Sequence, residues 1–474
     1  MDKTYLKKDT NASNIAIDLF ESVGVKIPEV LLPKKNTEMG KWAVVACDQY
    51  TSQPEYWNQV EDIVGSQPST LKLILPEVYL EKPDVDDRIS NINENMETYI
   101  ENGTLLLQKP GFVYLDRKTS HVSSRKGLIL TIDLEKYSYS KGSQTLVRAT
   151  EKTVIERLPP RVKIRKDAPI ELPHIQLLID DPDKTIIEPL AEKIDLMEKI
   201  YDLELMMDGG HVKGYKVEDS EIINNIASAL SKLSQPEIFY KKYGVDSEKG
   251  ILLFAVGDGN HSLASAKAHW ENIKAGLTPE ELTIALESHP ARYAMAEVIN
   301  VHDDGLIFEP IHRVLFNIDF EDVIQAMQAY FSKYSSFCLK TFNSGKDMFT
   351  AIEEFKRAST NCSKSHILPF VAKDCFGFAV IENATHNLEA ATLQEFLDKY
   401  LEQNKNVKID YIHGDDIVTN IGVKEGNMGF YLPAIDKHEL FKTVILDGTL
   451  PRKTFSMGEA EEKRYYIECR KIRS

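Results

Sequence analysis

Apolar positions along this chain recur with two different periods, close to two residues in some stretches and close to 3.6 in others, so strands and helices are interleaved. The sharpest change of period falls at Ile251-Leu252-Leu253-Phe254-Ala255-Val256, an apolar run of strand length. Gly257-Asp258-Gly259-Asn260-His261-Ser262 follows at once, and then Leu263, Ala266, Trp270 and Ile273 recur at helical spacing. Strand, glycine-rich turn and helix are thus expected to follow one another without spare residues.

The same reading predicts helices over Asn14–Gly24, Asp87–Asn102, Ile186–Tyr201, Glu221–Leu233 and Pro279–Glu287, and farther on over Phe320–Tyr334, Lys346–Arg357 and Leu393–Asn404. Strands are predicted at Trp42–Cys47, Ile175–Ile179, His366–Val371 and Gly377–Ile381. Three strand pairs are expected: Phe112–Leu115 with Lys126–Leu134, Leu203–Met207 with Val212–Val217 across Asp208-Gly209-Gly210, and Arg292–Val301 with Leu306–Phe316. Pro236–Lys249 reads as loop, and Asn427–Ser474 as a tail rich in Gly, Lys and Arg. A new pattern sets in near Asp319, which predicts domains at 1–318 and 319–474. The mixed order favours α/β or α+β over all-α or all-β.

Composition narrows the function classes. A net charge of −16 argues against a protein that coats nucleic acid, because neutralising phosphates needs clustered cations. The five cysteines, Cys47, Cys338, Cys362, Cys375 and Cys469, show no CxxC spacing, which fits a reducing compartment and neither a zinc site nor a disulfide framework. Met1–Thr10 is polar with no apolar segment behind it, and no apolar run approaches the roughly 20 residues that span a bilayer. A cytoplasmic protein with no membrane or nucleic-acid partner is the expectation.

Candidate chemistry starts at the turn. The start of a helix directs N–H groups and the positive end of its dipole at one spot, which favours an anion. Gly257, Gly259, Asn260 and Ser262 are the candidate phosphate contacts, with Asp258 and His261 as candidate catalytic groups on the same turn. An ordinary capped turn, with Asn260 as N-cap, accounts for the same residues. A second cluster runs Arg148-Ala149-Thr150-Glu151 to Arg165. Pro159-Pro160 is expected to stop any helix. Beyond it, Arg161, Lys163 and Arg165 alternate with Val162 and Ile164 as on an extended strand. Arg148, Arg161 and Arg165 are candidate anion contacts and Glu151 a candidate base; a solvated, charged edge strand is the alternative. Asp180-Asp181 at a strand end are candidate Mg²⁺ ligands, or else a plain turn. Asp48, Tyr50, His312 and Arg313 are candidate substrate contacts. Arg452, Lys453, Lys463, Arg464 and Arg470 read as a partner surface or as a solvated basic tail. HExxH, GxSxG and Walker-type motifs are absent, and the turn lacks the third glycine of a dinucleotide fingerprint.

Six blocks together resemble a bacterial family known as domain of unknown function 1015. They are VACDQYTSQPEYW, RATEKTVIERLPPR, ELPHIQLLIDDP, GDGNHSLASAKAHWE, EPIHRVLF and DGTLPRKTFSMGEAEEKRYY. The D-G-N-H turn is also similar to the phosphate-binding turn of ParB-type CTPases and of archaeal nucleoside-diphosphate-dependent free serine kinases. Many family members read D-G-H-H-R there, whereas this chain has Asn260 and Ser262. The resemblance implies a ParB/sulfiredoxin-like nucleotide-binding region followed by a C-terminal α/β domain. It also implies ADP, ATP or CTP with Mg²⁺ as cofactor, and a small metabolite such as a hydroxyl amino acid as substrate. The functions to weigh are a nucleotide-dependent phosphotransferase or hydrolase and a non-catalytic nucleotide- or anion-binding regulatory module. The state of assembly is open, a homodimer included.

Overall fold

The computed structural model describes residues 15–172, 174–358, 365–373 and 375–473. Met1–Thr10, Asn14, Pro173, Cys362 and Ser474, all used above, lie outside the described residues. The chain forms two compact units, Met1–Ile307 with Met457–Ser474, and Phe308–Ser456. The expected division at 318/319 is therefore corrected at both ends. Among the described residues Leu306–Phe316 does not pair with the preceding strand, its residues from Phe308 onward belong to the second unit, and the last residues return to the first.

The first unit is built on a ten-stranded mixed sheet. Its strands are β1 (Val25–Lys26), β2 (Phe112–Lys118), β3 (Arg125–Asp133), β4 (Tyr137–Ser138), β5 (Val147–Ala149), β6 (Gln176–Ile179), β7 (Glu198–Leu205), β8 (Gly210–Val217), β9 (Phe254–Asp258) and β10 (Tyr293–Asn300). The order is β7-β8-β2-β3-β10-β6-β9-β5-β4, with β1 added alongside β3. Both faces are covered, which is why the central strands are apolar throughout. Along β3, Leu128, Leu130 and Ile132 pack into one hydrophobic layer and Ile129 into the other, as a period of two requires.

Register decides what meets at the sheet's end. β9 runs parallel to β5, with Val256 opposite Ala149, and antiparallel to β6, with Asp258 opposite Gln176. Glu151, Asp258 and the entry to β6 at His174 therefore emerge together. Two helices matter there: α1 (Leu158–Lys166) and α2 (Asn260–Ala275). Leu263, Ala266 and Trp270 of α2 sit in the second apolar layer, so burial of one face anchors the helix behind the turn.

Four local expectations fail for physical reasons. Pro159-Pro160 starts α1 rather than stopping a helix, because first-turn positions need no N–H donor. Ile186–Tyr201 is not one helix but a short turn of helix, Glu188–Ala191, then a 3₁₀ turn and β7. There Tyr201, Leu203 and Leu205 alternate inward, and pairing with β8 overrides local propensity. The Trp42–Cys47 strand shrinks to Val44–Val45, preceded by the helical turn Met39–Trp42. Pro236–Lys249 contains the helix Pro236–Tyr243, closed by Gly244 in the left-handed region.

The second unit holds a six-stranded sheet with helices. Its strands are β11 (His312–Phe316), β12 (Phe337–Phe342), β13 (His366–Ala372), β14 (Cys375–Ile381), β15 (Lys408–Ile412) and β16 (Asn427–Phe430), in the order β12-β14-β13-β16-β11-β15. Among the described residues no helix is long and apolar enough to cross a membrane.

Candidate functional site

The turn forms as its sequence dictates. Gly257 and Asp258 still belong to β9, and Gly259, at φ +77°, breaks the strand and caps α2. Asn260 is the first helical residue, so the alternative in which it is the N-cap is corrected. A side chain at 259 would place Cβ 2.9 Å from Ile175 Cα, so this position needs glycine for both conformation and space. Asn260, His261 and Ser262 are half-buried. Their N–H groups occupy the first turn, where an α-helix supplies no internal acceptors. Asp258 folds its own carboxylate against the turn: Oδ1 accepts the Gly259 N–H at 2.8 Å and Oδ2 lies 3.2 Å from Lys463 Nζ. Asn260 Oδ1 is buried, and among the described residues it has no hydrogen-bond partner.

Beside the turn stands His174. Its Nδ1 lies 2.7 Å from the Tyr466 hydroxyl, and its Nε2 lies 3.0 Å from Ser262 Oγ and 3.5 Å from Asp48 Oδ2. Burial alone would lower the His174 pKa, but the Asp48 carboxylate overrides it and the net shift is upward. Burial likewise pushes Asp48 up, and the imidazolium reverses this, holding the carboxyl well below its usual range. The Tyr466 hydroxyl, raised well above its ordinary pKa by burial, accepts the Cys47 N–H at 3.1 Å. An imidazolium here donates from Nδ1 to Tyr466 and from Nε2 towards Ser262 and Asp48. The Ser262 O–H then remains able to donate to a ligand.

This arrangement is not a hydrolase triad. Ser262 and Asp48 approach the same ring nitrogen, whereas a triad places the carboxylate and the serine on opposite ones. A histidine held as imidazolium is a hydrogen-bond donor and an anion stabiliser, not a base for serine.

A cavity of about 140 Å³ opens next to His174 and Ser262. Its lining includes the apolar Leu73, Leu75, Ile164 and Ile170. Arg161 and Arg165, one helical turn apart on α1, belong to the same lining. Arg161 pairs with Glu77, and Arg165 with Glu171. Burial, reinforced by Asp48, raises the Glu77 pKa against the pull of Arg161. Thus Arg161 and Arg165 do converge with Ser262, but from a helix, correcting the extended strand expected of them.

The remaining candidates are scattered. Glu151 is half-buried at the end of β5, beside β9, and Thr150 Oγ1 donates to Val256 O at 2.6 Å. His261 accepts the Val154 N–H through Nε2 at 3.3 Å, tying the loop after Glu151 to the turn. Arg148 is turned away: its guanidinium binds Thr145 O at 2.8 Å and Gly250 O, before the start of β9, so it is corrected to a structural clamp. Tyr50 stacks on Tyr56 with ring centroids 3.7 Å apart, and burial pushes its pKa up to about 12.

Asp180 and Asp181 leave β6 at the end opposite His174, about 13 Å along the strand from Gln176 at ~3.3 Å per residue. Asp180 is held by Lys242, Tyr243 and His302, and Asp181 accepts the Thr185 and Ile186 N–H groups at 2.6 and 3.0 Å. In the structure the first carboxylate belongs to an ion-pair cluster and the second closes a turn. Among the described residues no group of three or more His, Cys, Asp or Glu is arranged to hold a metal ion.

His312 and Arg313 lie on β11 in the second unit, fully buried among partners of that unit. Arg313 donates to Gln394 Oε1 at 2.9 Å, Ile311 O at 2.6 Å and Arg452 O at 3.2 Å. His312 Nδ1 accepts the Leu432 N–H at 3.0 Å, and the Asp415 carboxylate lies 2.9 Å from Nε2. Their contacts run to residues of the second unit, and His312 Nε2, although near Asp415, makes no well-directed hydrogen bond among the described residues.

Sequence reading missed three residues of the site. His174 was visible only as part of Leu172-Pro173-His174 before a strand. Tyr466 and Lys463 sit in the last part of the supposed basic tail, Met457–Ser474, which belongs to the first unit, and both are buried there. There Arg464 binds Glu297 and Glu468 at 2.9 and 2.6 Å, Arg470 binds Glu171 at 2.7 Å, and Tyr465–Tyr466 pairs with Val44–Val45. The alternatives of a partner surface and a solvated tail are both corrected for Lys463, Arg464 and Arg470.

The family model described as "Protein of unknown function (DUF1015)" matches residues 30–400. No curated protein matches. Among solved structures the chain is similar to a free serine kinase in complex with AMP, at 12% identity over 75% of this chain and 94% of that one, with a TM-score of 0.35. A conserved hypothetical protein from Pyrococcus furiosus shows 12% identity over 73% and 95%, at a TM-score of 0.34. SbnI from Staphylococcus aureus shows 10% over 72% and 82%, at 0.31. At such TM-scores the likeness carries no functional argument.

Proposed function

The chain belongs to the DUF1015 family of proteins of unknown function, and from that premise we propose that its first unit is a nucleotide-dependent phosphotransferase acting on the hydroxyl of a small metabolite. The observation that carries the reading is the first turn of α2, whose half-buried amides stand beside a Ser262 hydroxyl 3.0 Å from Nε2 of His174. Phosphoryl transfer needs oriented donors around charged oxygens more than it needs covalent help from the protein.

In this reading the amides of Asn260, His261 and Ser262 hold phosphate oxygens, and Ser262 adds its O–H. The apolar lining of the adjoining cavity takes the base of the nucleotide, ADP, ATP or CTP. The metabolite hydroxyl attacks the terminal phosphorus, the bond from phosphorus to the nucleotide oxygen breaks, and the hydroxyl proton passes to a carboxylate, Asp258 or Glu151. Asn260 Oδ1, an acceptor without a donor among the described residues, suits a ligand O–H. Mg²⁺ bound with nucleotide phosphates needs only one or two protein carboxylates, and Asp258 and Asp48 fit that requirement. Both act electrostatically on His174. The kinship to ParB/sulfiredoxin-like folds stands as a proposal on the turn alone.

A regulatory switch without turnover is the second reading. It is favoured by the Asp258 carboxylate, whose two oxygens are already engaged by the Gly259 N–H and Lys463. One experiment separates the two. The chain is incubated with ATP, ADP or CTP, Mg²⁺ and free hydroxyl amino acids, and phosphorylated product is sought. Product supports the phosphotransferase; calorimetric binding without product supports the switch; neither overturns both.

A further inference from the structure

Resting on the phosphate-binding reading of the turn, we propose that Lys463 is the cation that neutralises the bound phosphates, delivered to the turn by the C-terminal segment. The three arginines expected in that role are each held by other groups. Arg148 is clamped to Thr145 O and Gly250 O, Arg161 is paired with Glu77, and Arg165 with Glu171. Lys463 instead places Nζ 3.2 Å from Asp258 Oδ2, one residue before the helix cap, and 3.2 Å from Met457 O. It is 8% exposed, so its charge acts with little screening.

The segment around it is built to hold that position. Buried Arg117 donates to Glu461 O at 3.1 Å and Lys463 O at 3.3 Å, and buried Arg125 donates to Glu462 O at 3.2 Å. The next residue, Arg464, is fixed by Glu297 and Glu468, and Tyr465 donates to Met206 O at 2.8 Å. Backbone carbonyls on either side of the lysine are thus anchored by guanidinium groups, and its ammonium arrives preorganised. Asp258 sets a negative charge beside Lys463, as a phosphate oxygen would. A phosphate at the turn gives Lys463 a second anion on the same side. The family match ends at residue 400, so this residue lies beyond it.

The test titrates inorganic pyrophosphate and ADP calorimetrically into the full chain and into Lys463→Met, Lys463→Gln and Lys463→Arg. Loss of a charge-assisted contact weakens both probes by roughly 10- to 100-fold in the Met and Gln variants. Arginine restores most of the affinity, and salt weakens binding less steeply in the neutral variants. A purely structural lysine would lower the unfolding midpoint without rescue of affinity by arginine. Unchanged affinity in Lys463→Gln overturns the role of Lys463 while the turn still binds; no binding to the wild-type chain overturns both. Should the neutral variants not fold, acylation of Lys463 in the wild-type chain, read by peptide mass spectrometry, decides. ADP is expected to slow it, and equal labelling with and without ADP overturns the proposal.

Discussion

Ser262 Oγ, on the first turn of α2, lies 3.0 Å from Nε2 of His174, which stands at the entry to β6, the strand paired with β9. That contact joins the two halves of the site. The helix start offers donors to an anion, and the imidazolium fixes the serine that adds one more. Tyr466 completes it from the C-terminal segment, so three stretches remote in sequence converge on one ring.

The His174–Asp48 pair makes stability depend on pH in a defined direction. Asp48 is lowered from an ordinary value of 3.8, so its contribution is full above that value and is lost as pH falls through the lower folded one. His174 is raised from 6.5, so its contribution is full below 6.5 and is lost as pH rises through the folded value. His174→Gln is therefore expected to cost more stability near about pH 6 than near about pH 9. Urea unfolding of both proteins at the two pH values measures it; equal differences would contradict the pairing.

Gly259→Ala tests the turn itself. With φ at +77° and Ile175 Cα 2.9 Å from the new Cβ, the variant is expected to lose about 1–3 kcal/mol. Affinity for pyrophosphate should fall with it. Denaturant midpoints and calorimetry are the readouts, and a variant as stable as the wild type would remove the strain from the account.

How much of this was legible beforehand differs between elements. The strand, turn and helix at Phe254–Ala275 were readable because each step is locally coded, by an apolar run, a glycine at positive φ and helical spacing. The clustering of Glu151 with Asp258 follows from sheet register, which sequence does not display. Pro159-Pro160 misled because proline ends one helix and begins another with equal ease. The tail misled most: the charges of Arg464 and Arg470 signal solvent locally, yet their carboxylates, Glu297 and Glu171, lie 167 and 299 residues away in sequence.

That burial has its own consequence. Arg464 is 5% exposed and bound by two carboxylates, so Arg464→Met leaves Glu297 and Glu468 buried without their cation. A loss of about 3–5 kcal/mol is expected, seen as a large drop in denaturant midpoint. A midpoint within error of the wild type would show the segment to be dispensable to the first unit.

Ile164→Trp separates the cavity from the turn. The larger ring, projecting from α1 into the space of about 140 Å³, should exclude a nucleotide base and leave the phosphate contacts in place. ADP affinity is expected to fall by about tenfold or more, with pyrophosphate affinity held, in parallel calorimetric titrations. An equal loss of both would mean that the apolar lining does not face the base.

Whether the opening turn of α2 is an anion cradle is settled most directly by a crystal structure of the chain grown with ADP and Mg²⁺. Phosphate oxygens are expected at hydrogen-bond distance, about 3 Å, from the amides of His261 and Ser262. A nucleotide bound elsewhere in the chain, with Asp258 still closed on Gly259 and no phosphate at the turn, would contradict the account.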